Sequence, residues 1–493
     1  MMDVTPRQPY RPLIWPDFIF DLQEFLAGNP DEIYIVGGAV RDALLHRPLH
    51  DIDLATSGQA TKLARQIANH FKGDFFILDA ERDVGRAILN LQDSRLVLDV
   101  AHLRGASLLD DLTDRDFTLN ALAVDIKADL SLLIDPLGGE LDIKQHLLRR
   151  CMEHSVLDDP IRALRAVRQS TQLNMRIESH TLLDVKAAVQ QLDSTSPERI
   201  RDEWFKLLSV ARPAAAIRVA DSIGLLGKVI PEVAPLRDIK ETNPDIQVKD
   251  AWQHTLALIE NLTSVLNVIS YTRTDQTAAS FGLGMLAIQL DRFRARILAH
   301  LDTMWPNERS HPALLMLAAL LYDSGKVQGT ENHMAIGSAY AGVRADALRL
   351  SIAEKSRLIT NVRYQDLVYS LEDTTPFSLY QFWRKLNEAG VDVCLLTLAD
   401  YLATHGTYMK QDDWLLLVDR VRILLEAWFD KRDQIVSPPV LVDGNLLMAT
   451  FQLKPGPILG ELLEHMRVGQ VIGEVHDRDS ALAYAKVYLE NKG

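Results

Sequence analysis

Gly37 and Gly38 follow an apolar run, Tyr34-Ile35-Val36, and lead into Ala39-Val40-Arg41-Asp42; after eight intervening residues stand Asp51-Ile52-Asp53. Glycines without a β-carbon let a backbone bend sharply and bring its N–H groups against an anion. A helix starting after them points its positive end to the same place. Residues i and i+2 of a strand face one side, roughly 6–7 Å apart, so Asp51 and Asp53 can share divalent metal ions. A triphosphate cradle beside a metal-binding carboxylate pair is the minimum equipment for nucleotidyl transfer by two metals. Either half alone is a common turn or strand end. Their order and spacing together carry the reading.

Several elements must position these groups. The pattern predicts a strand entering Gly37, a short helix after it, and a second strand opening at Asp51. A helix follows over Gln59–Phe71, with Leu63, Ile67 and Phe71 on one face. Phe75–Leu78 reads as a strand, and Arg86–Leu91 and Arg95–Val100 as a pair around Gln92-Asp93-Ser94, with Asp99 in the second. Further on come Asp114-Arg115-Asp116-Phe117-Thr118-Leu119-Asn120-Ala121 and a Pro/Gly turn, Asp135-Pro136-Leu137-Gly138-Gly139. From Asp158 a helix is expected, with acidic residues and Pro160 in its first turn. Asp159 and Arg162 then adjoin on one face, a carboxylate acceptor beside a guanidinium donor, suited either to the edge of a base or to a plain ion pair. Arg165 and Arg168 continue at three-residue steps.

The series G-G-x-x-R-D then D-x-D resembles the first motif of class II tRNA nucleotidyltransferases and bacterial poly(A) polymerases, within the DNA polymerase beta-like superfamily. Asp114–Ala121 looks like that family's R-R-D-F-T-x-N-A, with Asp114 in place of the first arginine. Asp135–Asp142 looks like its third motif, a turn read as a hinge. Asp158–Arg162 is similar to its E-D-x-x-R, with Asp158 for glutamate. Ser196–Leu208 looks like its fifth, a bracing helix.

The resemblance implies an α/β head with a mixed sheet over residues 31–145. A mostly α-helical neck (146–235), an HD-like body (236–430) and a tail (431–493) follow. It implies Mg²⁺ on Asp51 and Asp53, with Asp99 either a third catalytic carboxylate or an aspartate ending a strand. Gly37, Gly38 and Arg41 would seat the triphosphate of CTP or ATP, and Arg115 and Asp116 the ribose. Asp159 and Arg162 would read the base, with Arg165 and Arg168 reaching the triphosphate. The partner implied is the 3′ end of tRNA, and the activity CCA addition. Only Leu103–Thr113 separates the Asp99 strand from the second motif, so CC-only addition, A-only addition and poly(A) synthesis stay open. A non-catalytic RNA-binding protein is a further alternative, against which both intact aspartates speak.

The body resembles an HD domain in His254, Tyr322-Asp323, His333 and Asp400, but the defining His-Asp pair is Tyr322-Asp323, and no histidine stands in Val362–Gln365. A protonated tyrosine is a poor ligand for such ions. The expectation is an incomplete site and a scaffold; the alternatives are an altered live site completed by water and His333, or an HD phosphohydrolase with an ancillary head. In the tail, Pro/Gly turns near Pro438 and Pro455 open helices, and a last helix is expected over Asp479–Leu489. That segment resembles one that contacts the tRNA elbow, with a plain helical cap as the alternative.

Composition is that of an ordinary folded chain, 47% hydrophobic and 24% charged over 493 residues. A net charge of −14 argues against a protein that coats nucleic acid indiscriminately, while a local basic groove stays compatible with RNA. Two cysteines, Cys151 and Cys394, support neither a disulfide framework nor a cysteine-based zinc site. They fit a cytoplasmic protein, as does the absence of a signal-peptide pattern over Met1–Asp17. The longest apolar run, Pro312–Leu321, is too short for a bilayer, so no membrane partner is expected.

Overall fold

The computed structural model describes residues 4–49, 51–91, 94–240, 250–274, 280–329 and 332–492. The chain divides into two compact units, Met1–Ser196 and Pro197–Gly493.

The first unit is built on a six-stranded sheet. Its strands are β1 (Ile33–Val36), β2 (Asp51–Thr56), β3 (Asp74–Asp79), β4 (Val84–Leu91), β5 (Ser94–His102) and β6 (Ala123–Asp125), in the order β3-β4-β5-β2-β1-β6. Only β2 and β5 pair in parallel; the remaining neighbours are antiparallel, so the sheet is mixed as expected. Its helices are α1 (Asp17–Leu26), α2 (Gly38–Leu44), α3 (Ala60–His70), α4 (Leu108–Thr113), α5 (Gly139–Lys144), α6 (Arg162–Gln172) and α7 (Ser179–Gln190).

Leu63 and Ile67 of the predicted stripe are buried on α3 together with Ala60, Ala64 and Ala68, while Phe71 follows the helix and is half-buried. Asp83 caps this helix, accepting from the N–H groups of Ala60 (2.6 Å) and Thr61 (2.9 Å). Helix and sheet approach so closely that a β-carbon on Gly85 of β4 would lie 2.8 Å from that of Ala64. The turn expected at Gln92-Asp93 lies outside the described residues.

One sequence expectation is corrected. Helix α6 starts at Arg162, not at Asp158, and Asp158, Asp159 and Pro160 form the turn before it. The N–H groups of Arg162, Ala163 and Leu164 bond back three residues, to the carbonyls of Asp159, Pro160 and Ile161. These tighter bonds delay the α-helical pattern by one turn. Asp159 and Arg162 are therefore joined by a backbone hydrogen bond across a turn, not set along a helical face.

The second unit is helical. Its helices are α8 (Pro197–Leu208), α9 (Pro213–Ser222), α10 (Leu225–Val229), α11 (Ala251–Ile269), α12 (Phe281–Leu290), α13 (Arg294–Leu301), α14 (His311–Leu321) and α15 (His333–Ala347). They continue with α16 (Ile352–Arg363), α17 (Pro376–Leu386), α18 (Ala389–His405), α19 (Gln411–Phe429), α20 (Gly444–Phe451), α21 (Pro457–Val471) and α22 (Arg478–Lys492). The longest apolar run is α14, a core helix buried over nearly its whole length. No helix among the described residues is long and apolar enough to cross a membrane. The tail helices α20 to α22 form a cluster of their own around Leu447, Leu462, Met466, Val475, Ala481 and Ala485.

A buried carboxylate ties four helices of this unit together. Asp392 Oδ1 accepts from His300 Nε2 (2.7 Å) and His311 Nε2 (2.8 Å), and its Oδ2 accepts from Asn361 Nδ2 at 3.0 Å. Burial alone would raise the Asp392 carboxyl, but the two histidines hold it well below the usual carboxylate range. His300, His311 and Asp392 present ligand atoms within 4.8 Å of one another. The Arg357 guanidinium, 3.4 Å from Oδ2, already supplies the cation, and His311 Nδ1 has no partner to orient it as a metal-bound imidazole needs. The cluster is a hydrogen-bonded hub.

Candidate active site

The head carboxylates fall where strand parity requires. Asp51 and Asp53 are exposed while Ile52 and Leu54 are buried, so both acids project from one open face of β2. Val36, the last residue of β1, is paired with Asp53, so the chain turns at Gly37 directly beside that carboxylate. Gly37 has φ +74°, which disfavours any side chain. A β-carbon there would also lie 2.8 Å from Arg115 Nη1 and 3.5 Å from Asp53 Oδ2. The Gly37 N–H is taken by the Leu122 carbonyl (3.0 Å), so the donors turned to an anion are those of the first turn of α2, from Gly38 onward.

Asp53 stays reachable from solvent, yet the surrounding chain strips enough water to push its carboxyl up. Asp99 and Asp51 push the same way, and Arg115 and Arg165 oppose them. Surplus negative charge on hard oxygen donors fits a hard divalent cation. Asp99 stands beside Asp53 in the parallel register. Its carboxylate is gripped on both oxygens by Arg86, at 2.7 and 2.8 Å, from the facing position of β4. Asp99 thus reaches the site with its charge shared with Arg86.

Arg41 binds both oxygens of Asp42 (2.9 Å each) and donates through Nη1 to Asn120 Oδ1 at 2.7 Å. Arg115 and Asp116 are not each other's partners. Arg115 is anchored on buried Asp111 (2.8 and 3.0 Å), which leaves Nη1 over Gly37. Asp116 Oδ2 accepts from Arg165 Nε (2.7 Å), and its Oδ1 accepts from Asn120 Nδ2 (2.9 Å) and the Phe117 N–H (2.8 Å). Burial would raise Asp116, but Arg165 and these donors outweigh it and keep the carboxyl far below its ordinary range. Arg162 donates to the carbonyls of Ser155 (2.7 Å), Asp114 (2.8 Å) and Arg115 (3.3 Å), leaving two of its five N–H groups for another acceptor. Arg168 reaches along its own helix to Gln172. Asn120, Gln169, Asp111 and Arg86 are the side chains that pattern reading did not single out. The signal for Gln169 was its i, i+3, i+7 spacing with Arg162 and Arg165.

The HD-like residues of the second unit gather differently. His254 of α11 presents Nδ1 to Asp323 Oδ2 (2.5 Å) and Nε2 to Asp400 Oδ1 (3.1 Å). Lys326 Nζ lies 2.9 Å from the other oxygen of Asp323, and Tyr369 donates to Asp400 Oδ2 at 2.9 Å. Two carboxylates can be satisfied by one ring only when both nitrogens carry hydrogen. Burial pulls the His254 imidazole down, but Asp323 and then Asp400 carry it up to about 10. The Tyr322 hydroxyl is buried with no hydrogen-bond partner. His333 opens α15. His254 thus bridges the two carboxylates, and the neighbouring Tyr322 hydroxyl stands where a second imidazole would be needed for an HD-type site.

Comparison with known proteins bears on the fold and the family. Residues 33–149 match the poly A polymerase head domain, and residues 174–236 the probable RNA and SrmB-binding site of polymerase A. A CC-adding tRNA nucleotidyltransferase of Geobacter sulfurreducens is 28% identical, the match covering 92% of this chain and 90% of the relative. An A-adding tRNA nucleotidyltransferase of Deinococcus radiodurans is 27% identical, with 94% and 96% covered. The chain also shares its fold with a CCA-adding enzyme solved in complex with ATP, at a TM-score of 0.60 and 21% identity over 96% of this chain and 95% of that one. The chain belongs to the class II CCA-adding tRNA nucleotidyltransferase and poly(A) polymerase family.

Proposed function

We propose that the protein adds C and A nucleotides to the 3′ end of tRNA from CTP and ATP, without a template. The observation that carries the reading is Asp51 and Asp53 side by side on an open strand face, under the Gly37 turn and Arg115. Asp51 and Asp53 would hold Mg²⁺, which when bound supplies the charge that activates the tRNA 3′-hydroxyl and steadies departing pyrophosphate. The chain's own groups do the positioning. The first turn of α2 and Arg41 seat the triphosphate, with Arg165 and Arg168 adding positive charge beside it. Arg115 and Asp116 fix the ribose, the latter a carboxylate acceptor for a sugar hydroxyl. Asp159 and the two remaining N–H groups of Arg162 read the edge of the base. Catalysis then rests on orientation and charge neutralisation, with no covalent intermediate. The proposed domains are the head (31–145), neck (146–235), body (236–430) and tail (431–493), the tail a tRNA-binding segment and the body a scaffold without phosphohydrolase activity. A cytoplasmic location goes with that work.

CC-only addition is a second reading. It is favoured by the short Leu103–Thr113 connection and by a CC-adding relative matched over most of both chains. Incubating tRNA that lacks CCA with labelled CTP alone, ATP alone and both separates the products. Incorporation of both in sequence supports CCA addition. C without A supports the second reading, and runs of A mark a poly(A) polymerase.

A further inference from the structure

Three side chains of α6 reach toward residues 114–120 from positions 162, 165 and 169, a spacing that puts them on one helical face. Arg162 holds backbone carbonyls and Arg165 holds Asp116. The third, Gln169, is 3% exposed, and its Oε1 accepts from Asn120 Nδ2 at 3.0 Å. Chemistry fixes the orientation of the Asn120 amide. Its oxygen meets the Arg41 guanidinium, which only donates, and its nitrogen meets Asp116 Oδ1, which only accepts. Gln169 must therefore present its carbonyl oxygen. One amide thus fastens α2, with Arg41, to the helix that carries Arg162 and Arg165.

We propose that Gln169 is a positioning residue for base selection: through Asn120 it sets the spacing between Arg41 and the Asp159–Arg162 pair. The inference rests on the nucleotide-transfer reading above. Gln169 carries no charge, it is buried, and its oxygen is already engaged by Asn120. Removing its acceptor leaves a buried N–H of Asn120 unpaired and frees the amide to turn away from Arg41. Neither Asp51 nor Asp53 is touched by that change. The effect therefore falls on nucleotide fit and on which base is accepted, more than on turnover.

The test compares Gln169→Met, of similar length with no acceptor, with Gln169→Glu, which keeps one. Steady-state kinetics are measured with CTP on tRNA lacking CCA and with ATP and GTP on tRNA ending in CC, alongside thermal melting. Gln169→Met is expected to raise KM for CTP and ATP about tenfold, hold kcat within about threefold, and lower the preference for ATP over GTP about tenfold. Gln169→Glu is expected to keep that preference within about threefold of wild type. A Met variant with unchanged KM and preference, or with a loss confined to kcat, overturns the proposal. If the Met variant fails to fold, the Glu variant decides, and a folded Glu variant with relaxed base preference overturns it. Wild type that transfers no nucleotide overturns the functional reading and this inference with it, whereas an active wild type isolates the fate of Gln169.

Discussion

The two units each gather carboxylates, and they balance the charge in opposite ways. In the head, Asp51 and Asp53 stay on an open face, and desolvation with mutual repulsion pushes Asp53 up. In the HD-like cluster, His254 and Lys326 stand against Asp323 and Asp400, and the Asp323 carboxyl is driven far down despite its burial. The first arrangement gains from an added cation, and the second has built its cation into the chain. Acidic residues near histidine are therefore weak evidence for a metal until the counter-charges are counted.

The largest expected effect separates the two clusters by activity. Asp53→Asn should reduce incorporation of labelled CTP and ATP into tRNA on the order of a thousandfold, while its melting temperature stays level or rises. His254→Ala should do the reverse, costing about 3 kcal/mol in urea unfolding because Asp323 loses its buried partner. Retained nucleotide transfer in folded His254→Ala would accompany that loss. A phosphatase assay of wild type with Ni²⁺, Mn²⁺ or Mg²⁺ should show no turnover; robust turnover abolished by His254→Ala would put a live metal site in the body and erase the contrast.

Chelation probes the same difference without mutation. EDTA should abolish transfer and leave the melting temperature nearly unchanged, with activity restored by Mg²⁺. A large drop in melting temperature would mean a structural ion instead.

Alkaline pH acts on the second cluster. His254 is raised in the folded state to about 10 from 6.5. Its stabilisation is complete below about 6.5, declines as pH rises, and is gone above about 10. Wild type should therefore lose more melting temperature between pH 7 and pH 10.5 than His254→Gln does. Equal losses would show that His254 is not the titrating group.

The smallest effect concerns Asp99. Because Arg86 already shares its charge, Asp99→Asn should cost about tenfold in transfer, far less than Asp53→Asn. Equal losses would make Asp99 a third metal ligand and the head more acidic than its ion pairs indicate.

Much of the head was legible from local rules. The parity that puts Asp51 and Asp53 on one face needs two residues of strand and nothing else. The stripe on α3 and the positive-φ turn at Gly37 are equally local. The start of α6 was misplaced because acidic residues and a proline signal a first turn, while bonds to the carbonyls of Asp159, Pro160 and Ile161 actually tighten it. Arg115-Asp116 looked like a pair because they are neighbours in sequence, yet successive side chains diverge. Their partners, Asp111 and Arg165, come from α4 and α6.

Residue type and spacing alone determined the shared face of Asp51 and Asp53, the glycine turn and the family resemblance, since these depend on backbone periodicity and on the absence of a side chain. Which charges are answered was decided only in three dimensions. Arg86 on Asp99, Gln169 on Asn120 and His254 between two aspartates each join residues far apart in the chain. Electrostatic balance depends on distance through space and on lost water, and neither can be read from the order of residues.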